Sequence, residues 1–162
     1  MEFFSKKINE PFIRDLSRNK NEPEWILKKR LESLNDFNKL TLPSFRYGLN
    51  IKLNYDFDFD KFDFDSSNSQ IEIRSAKKII FDTFDNIMNS EKNIIKEHFM
   101  KLINNENKFI ALNTALFDKG ILIYVPKNIK VKDPIMLSSL QCSKALIKYI
   151  LITLEENANK IL

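Results

Sequence analysis

The stretch from Asn107 to Pro126 constrains the fold most, because two apolar runs flank one of only two glycines in the chain. The run Phe109–Phe117 is apolar and partly β-favouring, and Ile121–Val125 is almost entirely β-branched or aromatic. The tripeptide 118–120 between them, Asp-Lys-Gly, has turn chemistry. Pro126 lacks the backbone donor that a continuing strand needs. The pattern predicts two short buried strands around a tight turn.

The composition limits the class of protein. The chain has 162 residues, 43% of them hydrophobic and 30% charged, which is ordinary for a soluble globular domain. No apolar run approaches the roughly 18 residues that a membrane span needs, and the first residues lack the features of a signal peptide. A single cysteine, Cys142, excludes an internal disulfide. We expect a cytoplasmic protein, or one from the interior of a plastid or other organelle.

The charge pattern argues against nucleic-acid binding. The net charge is +4, but the aromatic residues of segment 55–65 alternate with five aspartates and not with lysine or arginine. A nucleic-acid surface needs basic residues on one face, with aromatic residues that stack on bases. We expect no nucleic-acid partner and no membrane partner.

Two helices are predicted near the amino terminus. Residues 10–20 have an apolar stripe and a proline in the first turn, and a second helix should extend to about Leu40. Asn21 is the predicted cap of the second helix, with Glu22 and Glu24 near its positive end.

The segment Tyr55–Asp65 alternates aromatic and acidic residues, except at Lys61, where a bulge or turn is predicted. The aspartates at 56, 58 and 60 resemble the first ligands of an EF-hand calcium loop. However, Lys61 occupies the glycine position of that loop and Ser67 the position of its bidentate glutamate. We therefore interpret the aromatic residues as anchors over a core, with solvated acids.

The middle of the chain predicts a short extended piece at 71–73 and a strand at 78–84 that leads into a helix. A further helix should begin with Ser90 as its cap and end near Asn104. His98 lies beside its apolar stripe, and we interpret it as a packing residue because no nucleophile motif accompanies it.

The last third of the chain contains three further segments, at 129–131, 134–140 and 145–154. Segment 145–154 is ambiguous, because its apolar spacing fits a helix while its residue types favour a strand. Residues 155–159 read as a turn, and residues 160–162 as the beginning of a strand whose sheet edge is exposed.

Nothing in the sequence predicts catalysis. No phosphate loop, nucleophile elbow, zinc-helix motif or paired cysteine motif is present. Lys144 could lower the pKa of the Cys142 thiol and make it reactive, but a buried apolar role fits a lone cysteine better. We assign no catalytic, cofactor-binding or metal-binding residue, and we expect the chain not to be an enzyme.

Two segments together resemble the SufB/SufD family, which builds iron–sulfur clusters in the SUF system. The first motif is the helix 21–31 with residues 37–40 and 42–43, and the second is formed by residues 107–109, 111–115, 120 and 123–127. The regions 79–82 and 94–99 fit the family between the motifs, and the resemblance covers residues 10–162.

The resemblance implies an α+β fold with two parts. Residues 1–106 would form a mainly helical amino-terminal domain with an irregular acidic and aromatic linker. Residues 107–162 would begin an incomplete right-handed parallel β-helix, with 145–154 as a strand stacked on 121–125. It also implies partnership with a SufB/SufD-type scaffold subunit and a SufC-type ATPase. The family's essential residues and its ATPase contacts would lie past residue 162.

Two alternatives remain open at this point. The chain could be a stand-alone interaction or regulatory module that docks on a full-length scaffold through an open β edge. It could also be a thiol enzyme that uses Cys142.

Overall fold

A computed structural model describes residues 7–43, 45–47, 51–53, 58–61, 71–74, 78–132, 135–139 and 147–160. The described helices are α1 Glu10–Asn19, α2 Glu24–Lys39, α3 Phe84–Ile87, α4 Lys92–His98 and α5 Lys108–Leu116, with a 3-10 turn at Phe59–Lys61. The described strands are β1 Phe45–Tyr47, β2 Ile51–Leu53, β3 Ile71–Arg74, β4 Ile80–Thr83, β5 Lys119–Val125, β6 Lys130–Val131, β7 Met136–Ser139, β8 Lys148–Leu154 and β9 Asn159–Lys160.

The fold is α+β, as predicted. Strands β4, β5 and β8 form a three-stranded sheet in that order, and the other described strands pair as β1–β2, β3–β7 and β6–β9. The described residues fall into two compact units, one within Met1–Phe64 and Ile103–Leu116, the other within Asp65–Leu102 and Phe117–Leu162. The domain boundary expected between residues 106 and 107 stays a prediction.

The two amino-terminal helices are confirmed, but their caps differ. The Asn9 side chain caps α1 by accepting a hydrogen bond from the Phe12 backbone N–H at 3.0 Å. The prediction that Asn21 caps α2 is wrong, because Pro23 is the residue before the first turn. Asn21 instead adopts a left-handed backbone with φ of 50° in the turn between the helices.

The predicted strand at Phe109–Phe117 is wrong, because these residues form most of helix α5. The Asn107 side chain accepts hydrogen bonds from the backbone N–H groups of Phe109 and Ile110, which begins the helix. Ala111 and Ala115, one turn apart, are both fully buried. The run is mainly apolar, and its only polar residues, Asn113 and Thr114, are adjacent, so no clear period separates helix from strand and packing of α5 against α2 decided the outcome.

A buried ion pair joins α2 to the turn before it. The fully buried Arg30 guanidinium donates to both Glu22 carboxylate oxygens, at 2.7 and 2.6 Å. Its third bond, of 2.9 Å, goes to the Ala115 carbonyl in the last turn of α5. Arg30 therefore connects three segments of the first unit, and the two-pronged geometry suits arginine and not lysine.

A second buried cation caps the end of α2. The Lys108 ammonium donates to the carbonyls of Phe37 and Leu40, at 2.8 and 3.0 Å, and lies 4.4 Å from the centroid of the Phe37 ring. Burial lowers the pKa of Lys108. The carbonyl groups at a helix end lack partners within the helix, and this side chain supplies one.

The interpretation of the alternating segment as aromatic anchors is confirmed at Phe59. Its buried ring packs edge-on against Phe37, with centroids 5.1 Å apart, and tilted against Phe109 at 6.2 Å. The 3-10 turn at Phe59–Lys61 occurs where the sequence predicted a bulge or turn. The other aromatic residues of the segment lie outside the described residues.

In the second unit, the strand before α3 is confirmed, and the helix predicted from Ser90 to Asn104 is shorter. Helix α4 ends at His98, because Phe99 adopts an extended backbone with ψ of 124°, and Met100 follows with a left-handed φ of 59°. Ser90 is not the cap, since its hydroxyl donates to the Ile87 carbonyl at 3.3 Å. The sequence predicted a longer helix because its apolar spacing continues to Leu102, but the Leu102 side chain is 92% exposed.

Four aromatic rings pack together on one face of the three-stranded sheet. Phe84, Phe99, Phe117 and Tyr149 are all in mutual contact, with centroids 4.8 to 6.4 Å apart. Gly120 makes room for this cluster, because a Cβ there would stand 2.1 Å from the Phe84 ring. The predicted turn at 118–120 is wrong, since β5 already includes Lys119 and Gly120.

We expect Arg30→Met to lower the free energy of unfolding by about 3 to 5 kcal/mol, because it leaves the Glu22 carboxylate buried without its partner. Urea titration followed by circular dichroism measures this. The control is Lys29→Met, in the exposed Lys29–Glu32 pair, which should change stability by less than about 1 kcal/mol. A similar small loss for Arg30→Met would show that the buried pair is dispensable.

Candidate functional site: a stacked strand ladder

The central feature of the second unit is the parallel pairing of β5 with β8. Seven residue pairs run from Lys119 opposite Lys148 to Val125 opposite Leu154. The Asp118 backbone N–H extends the pairing by donating to the Ile147 carbonyl at 2.7 Å. The prediction that segment 145–154 stacks on the 121–125 strand is confirmed for β8. The helical spacing of the apolar residues in this segment therefore does not reflect its structure.

The same spacing of 29 residues recurs in the next pair of strands. Strand β6 pairs in parallel with β9, with Lys130 opposite Asn159 just as Lys119 is opposite Lys148. The sequence carries this repeat, since Ile-Leu-Ile occurs at 121–123 and again at 150–152, followed in each case by an asparagine at the same distance. Aligning the sequence with itself reveals this 29-residue repeat, which the local patterns of apolar and polar residues do not show.

The turns after the two strands are also stacked. Asn128 and Asn157 adopt left-handed backbones, with φ of 62° and 59°, and the Asn157 amide donates to the Asn128 side-chain oxygen at 3.3 Å. Asparagine tolerates this conformation better than most residues do. The Asn128 backbone N–H donates to the Glu156 carbonyl at 3.2 Å, and the Lys127 and Glu156 side chains form an exposed ion pair.

One face of the ladder is closed by the aromatic cluster. Tyr149 lies opposite Gly120 in the ladder, so its ring joins the cluster while its hydroxyl accepts a hydrogen bond from the Met100 backbone N–H at 3.1 Å. Burial raises the pKa of the Tyr149 phenol, and the bond from Met100 opposes that rise. The hydroxyl thus satisfies a backbone donor two residues after the end of α4.

The other face carries an aliphatic core around β5. Phe81, Ile121 and Ile123 form a buried cluster, against which Ile135 and Leu137 pack. On β8 the three residues in register with this face are exposed: Ile150 at 45%, Ile152 at 52% and Leu154 at 46%. We call these three residues the β8 apolar row.

Of the residues considered for chemistry from the sequence, the structure describes His98, Asp58 and Asp60. His98 is half-buried in the last turn of α4. Asp58 accepts from the Asp60 backbone N–H at 3.0 Å, and Asp60 accepts from the Lys7 backbone N–H at 3.1 Å, so both carboxylates bind backbone groups of the fold. Cys142 and Asp56 lie outside the described residues.

Among the described residues, no group of three His, Cys, Asp or Glu side chains is arranged to hold a metal ion. Within the same residues, every helix is too short or too polar to cross a bilayer. The ladder, with its two stacked turns and the β8 apolar row, is therefore the candidate functional site.

Comparison with known proteins finds a protein family to which this α+β chain is similar. Residues 59–137 match the family model described as the SufBD protein N-terminal region. The chain is 28% identical to the iron–sulfur cluster assembly protein SufB of Bacillus subtilis (strain 168) and 29% identical to an iron–sulfur cluster assembly SufBD family protein of Staphylococcus aureus (strain USA300). Each alignment covers 79% of this chain and 37% of the relative.

These comparisons confirm the resemblance read from the sequence: the chain is similar to SufB/SufD-family proteins over their amino-terminal portion. The chain spans a little over a third of the length of the two relatives. The ladder from β5 to β9 starts inside the family-model match and continues past it.

We expect Asn157→Val to lower the free energy of unfolding by about 1 to 2 kcal/mol, because a β-branched residue is strained in the left-handed conformation. Asn157→Gly is the matched control, since it loses the same amide but accepts the backbone. Urea unfolding and amide hydrogen exchange across β8 measure both. Equal losses for the two variants would show that the backbone conformation is not the constraint.

Proposed function

We propose that this protein acts in iron–sulfur cluster assembly as the amino-terminal part of a SufB/SufD-type scaffold, and that it is not itself an enzyme. The observation that carries the proposal is the alignment of 79% of the chain with a protein named for cluster assembly, in a region that a family model describes as amino-terminal. The contacts support it, because the buried polar groups of both units serve helix ends and strand connections.

In this proposal, β5, β6, β8 and β9 belong to the first coils of a right-handed parallel β-helix. Two parallel pairings with one shared spacing of 29 residues support it, as does the stacking of Asn157 on Asn128. Solenoids of this kind build a continuous core from repeats that contact their neighbours. The handedness of the coil is part of the proposal.

The partners follow from the same proposal. A second SufB/SufD-type subunit and a SufC-type ATPase would join the assembly through regions outside these 162 residues. The cluster would be held by a longer scaffold and not by a cofactor site in this chain, and the compartment would be the cytoplasm or an organelle interior.

A second candidate is a stand-alone module that docks on a full-length scaffold through its β edge. The β8 apolar row favours it, because three neighbouring aliphatic side chains about half exposed on one strand are typical of a surface that another element covers.

Depletion of the protein from its source cells tests the role in cluster assembly. We expect the activity of aconitase, an iron–sulfur enzyme, to fall severalfold per unit of aconitase protein, while malate dehydrogenase, which holds no cluster, stays unchanged. Re-expression of the chain should restore aconitase. Unchanged aconitase after complete depletion would contradict the proposal.

Co-purification separates the two candidates. The tagged chain, co-expressed with a SufC-type ATPase and full-length scaffold subunits, should fail to retain the ATPase if it is only the amino-terminal part of a scaffold. A docking module would instead recover the complex, and Ile152→Asp in the β8 apolar row should then abolish recovery. Anaerobic reconstitution with iron and sulfide should leave the isolated chain without bound cluster, and a stable cluster would contradict the assignment of no cofactor site.

A further inference from the structure

A pocket opens in the first unit where helix α1 meets the turn into α2. Its volume is about 420 Å³, which is within the range of sites that hold small molecules. The lining comes from the second half of α1, the turn and the first turn of α2: Arg14, Ser17, Arg18, Asn21, Glu22 and Leu27. All of these residues belong to one compact unit, so the pocket is shaped within that unit. We call it the α1–α2 pocket.

The charge of the lining favours an anion. Among the described lining residues, Glu22 alone carries a carboxylate, and both of its oxygens accept hydrogen bonds from the Arg30 guanidinium, at 2.7 and 2.6 Å. That pairing neutralises the Glu22 charge. The guanidinium groups of Arg14 and Arg18 then give the lining a net positive charge, which attracts an anionic group.

Both lining arginines keep donors for a ligand. Arg14 donates through Nε and Nη2 to one oxygen of Glu10, at 2.8 and 2.7 Å, and Arg18 donates through Nη1 to Asp15 at 3.0 Å. Among the described contacts, these pairs leave Nη1 of Arg14 and Nη2 of Arg18 unoccupied. All four side chains are about half exposed or more, and exposed pairs of this kind are weak, so they can rearrange around a ligand at small cost.

A buried serine lines the same pocket. Ser17 is 3% exposed, and its position three residues after Arg14 and next to Arg18 places it on the same face of α1. Within the described part of the chain, no hydrogen bond occupies the Ser17 hydroxyl. A buried hydroxyl without a partner is costly, so a ligand oxygen in the pocket would stabilise it.

The set of donors favours a phosphate group over a carboxylate. Arginine pairs with either anion, but a phosphate ester offers three terminal oxygens where a carboxylate offers two. Three oxygens match the three donor side chains Arg14, Ser17 and Arg18. The pocket also has more room than one phosphate group fills, and the Leu27 side chain supplies an apolar wall for an organic part.

We propose that the α1–α2 pocket binds the phosphate group of a small phosphate ester. Arg14 and Arg18 donate to two of the phosphate oxygens, the Ser17 hydroxyl donates to the third, and the organic part of the ester lies against Leu27. The argument rests on contacts within the first unit and is independent of the role in cluster assembly.

Titration of the full 162-residue chain with glycerol 3-phosphate tests the pocket. Two-dimensional nitrogen NMR at constant ionic strength should show saturable shifts of the Nε–H groups of Arg14 and Arg18 and of the backbone N–H groups of residues 17–22. Glycerol, which lacks the phosphate, should cause no such shifts. Inorganic phosphate, which lacks the organic part, should bind at least about threefold more weakly. Absence of saturable shifts would overturn the proposal, and equal binding of inorganic phosphate would overturn the ester in favour of free phosphate.

Two matched double substitutions locate the ligand. Arg14→Gln combined with Arg18→Gln should weaken the binding of glycerol 3-phosphate at least about tenfold. Lys28→Gln combined with Lys29→Gln, which removes two exposed cations of α2 outside the pocket lining, should leave binding unchanged. Because all four residues are exposed, the unfolding midpoints should match that of the parent. Equal losses for the two double variants would overturn the proposal, because binding would then follow net charge alone.

The buried hydroxyl distinguishes the pocket from the arginine surface around it. Ser17→Ala should weaken the binding of glycerol 3-phosphate at least about threefold, because the ligand loses one hydrogen bond. The unfolding midpoint should not fall, since the hydroxyl has no partner among the described residues. Unchanged binding by Ser17→Ala would overturn the proposal and place the ligand on the exposed arginines outside the pocket.

Discussion

The parallel pairing of β8 with β5 is the interaction on which the second unit depends. It joins residues 29 apart along the chain, and different side chains pack on the two faces of the paired strands. On one face, Tyr149 can enter the aromatic cluster because Gly120 opposite it leaves room for the Phe84 ring. On the other, Ile121 and Ile123 complete an aliphatic cluster with Phe81. Displacing β8 by one residue would exchange the two faces, so the register is strongly specified.

The first unit is held by buried polar contacts at helix ends. Arg30 bonds to Glu22 and to the end of α5, while Lys108 at the start of α5 bonds to the end of α2. Each cation satisfies carbonyl groups that a helix end leaves without partners, and together they fix α2 and α5 at both ends of their contact. Such contacts specify one arrangement of helices more than they add stability.

The contacts, the family comparison and the exposed row support a structural role. The buried Arg30 and Lys108 have partners within the fold, and Asp58 and Asp60 accept hydrogen bonds from backbone N–H groups. The family comparison relates the chain to proteins named for iron–sulfur cluster assembly, and the ladder is the regular feature of its second unit. A strand whose equivalent row is covered one repeat earlier is suited to accept a further strand.

The sequence by itself determined α1 and α2, where first-turn prolines and apolar spacing agree, and β4, where residue types favour a strand; the family resemblance settled β8 against its helical spacing. Only the tertiary structure decided that Phe109–Leu116 is helical, because a mainly apolar run whose only polar residues are the adjacent Asn113 and Thr114 shows no clear period, and its packing on α2 selects the helix. It also decided the short α4, because the spacing of Leu102 says nothing about the extended backbone of Phe99 that ends the helix. The role of Gly120 needed the structure as well, since the ring that requires its missing Cβ comes from residue 84.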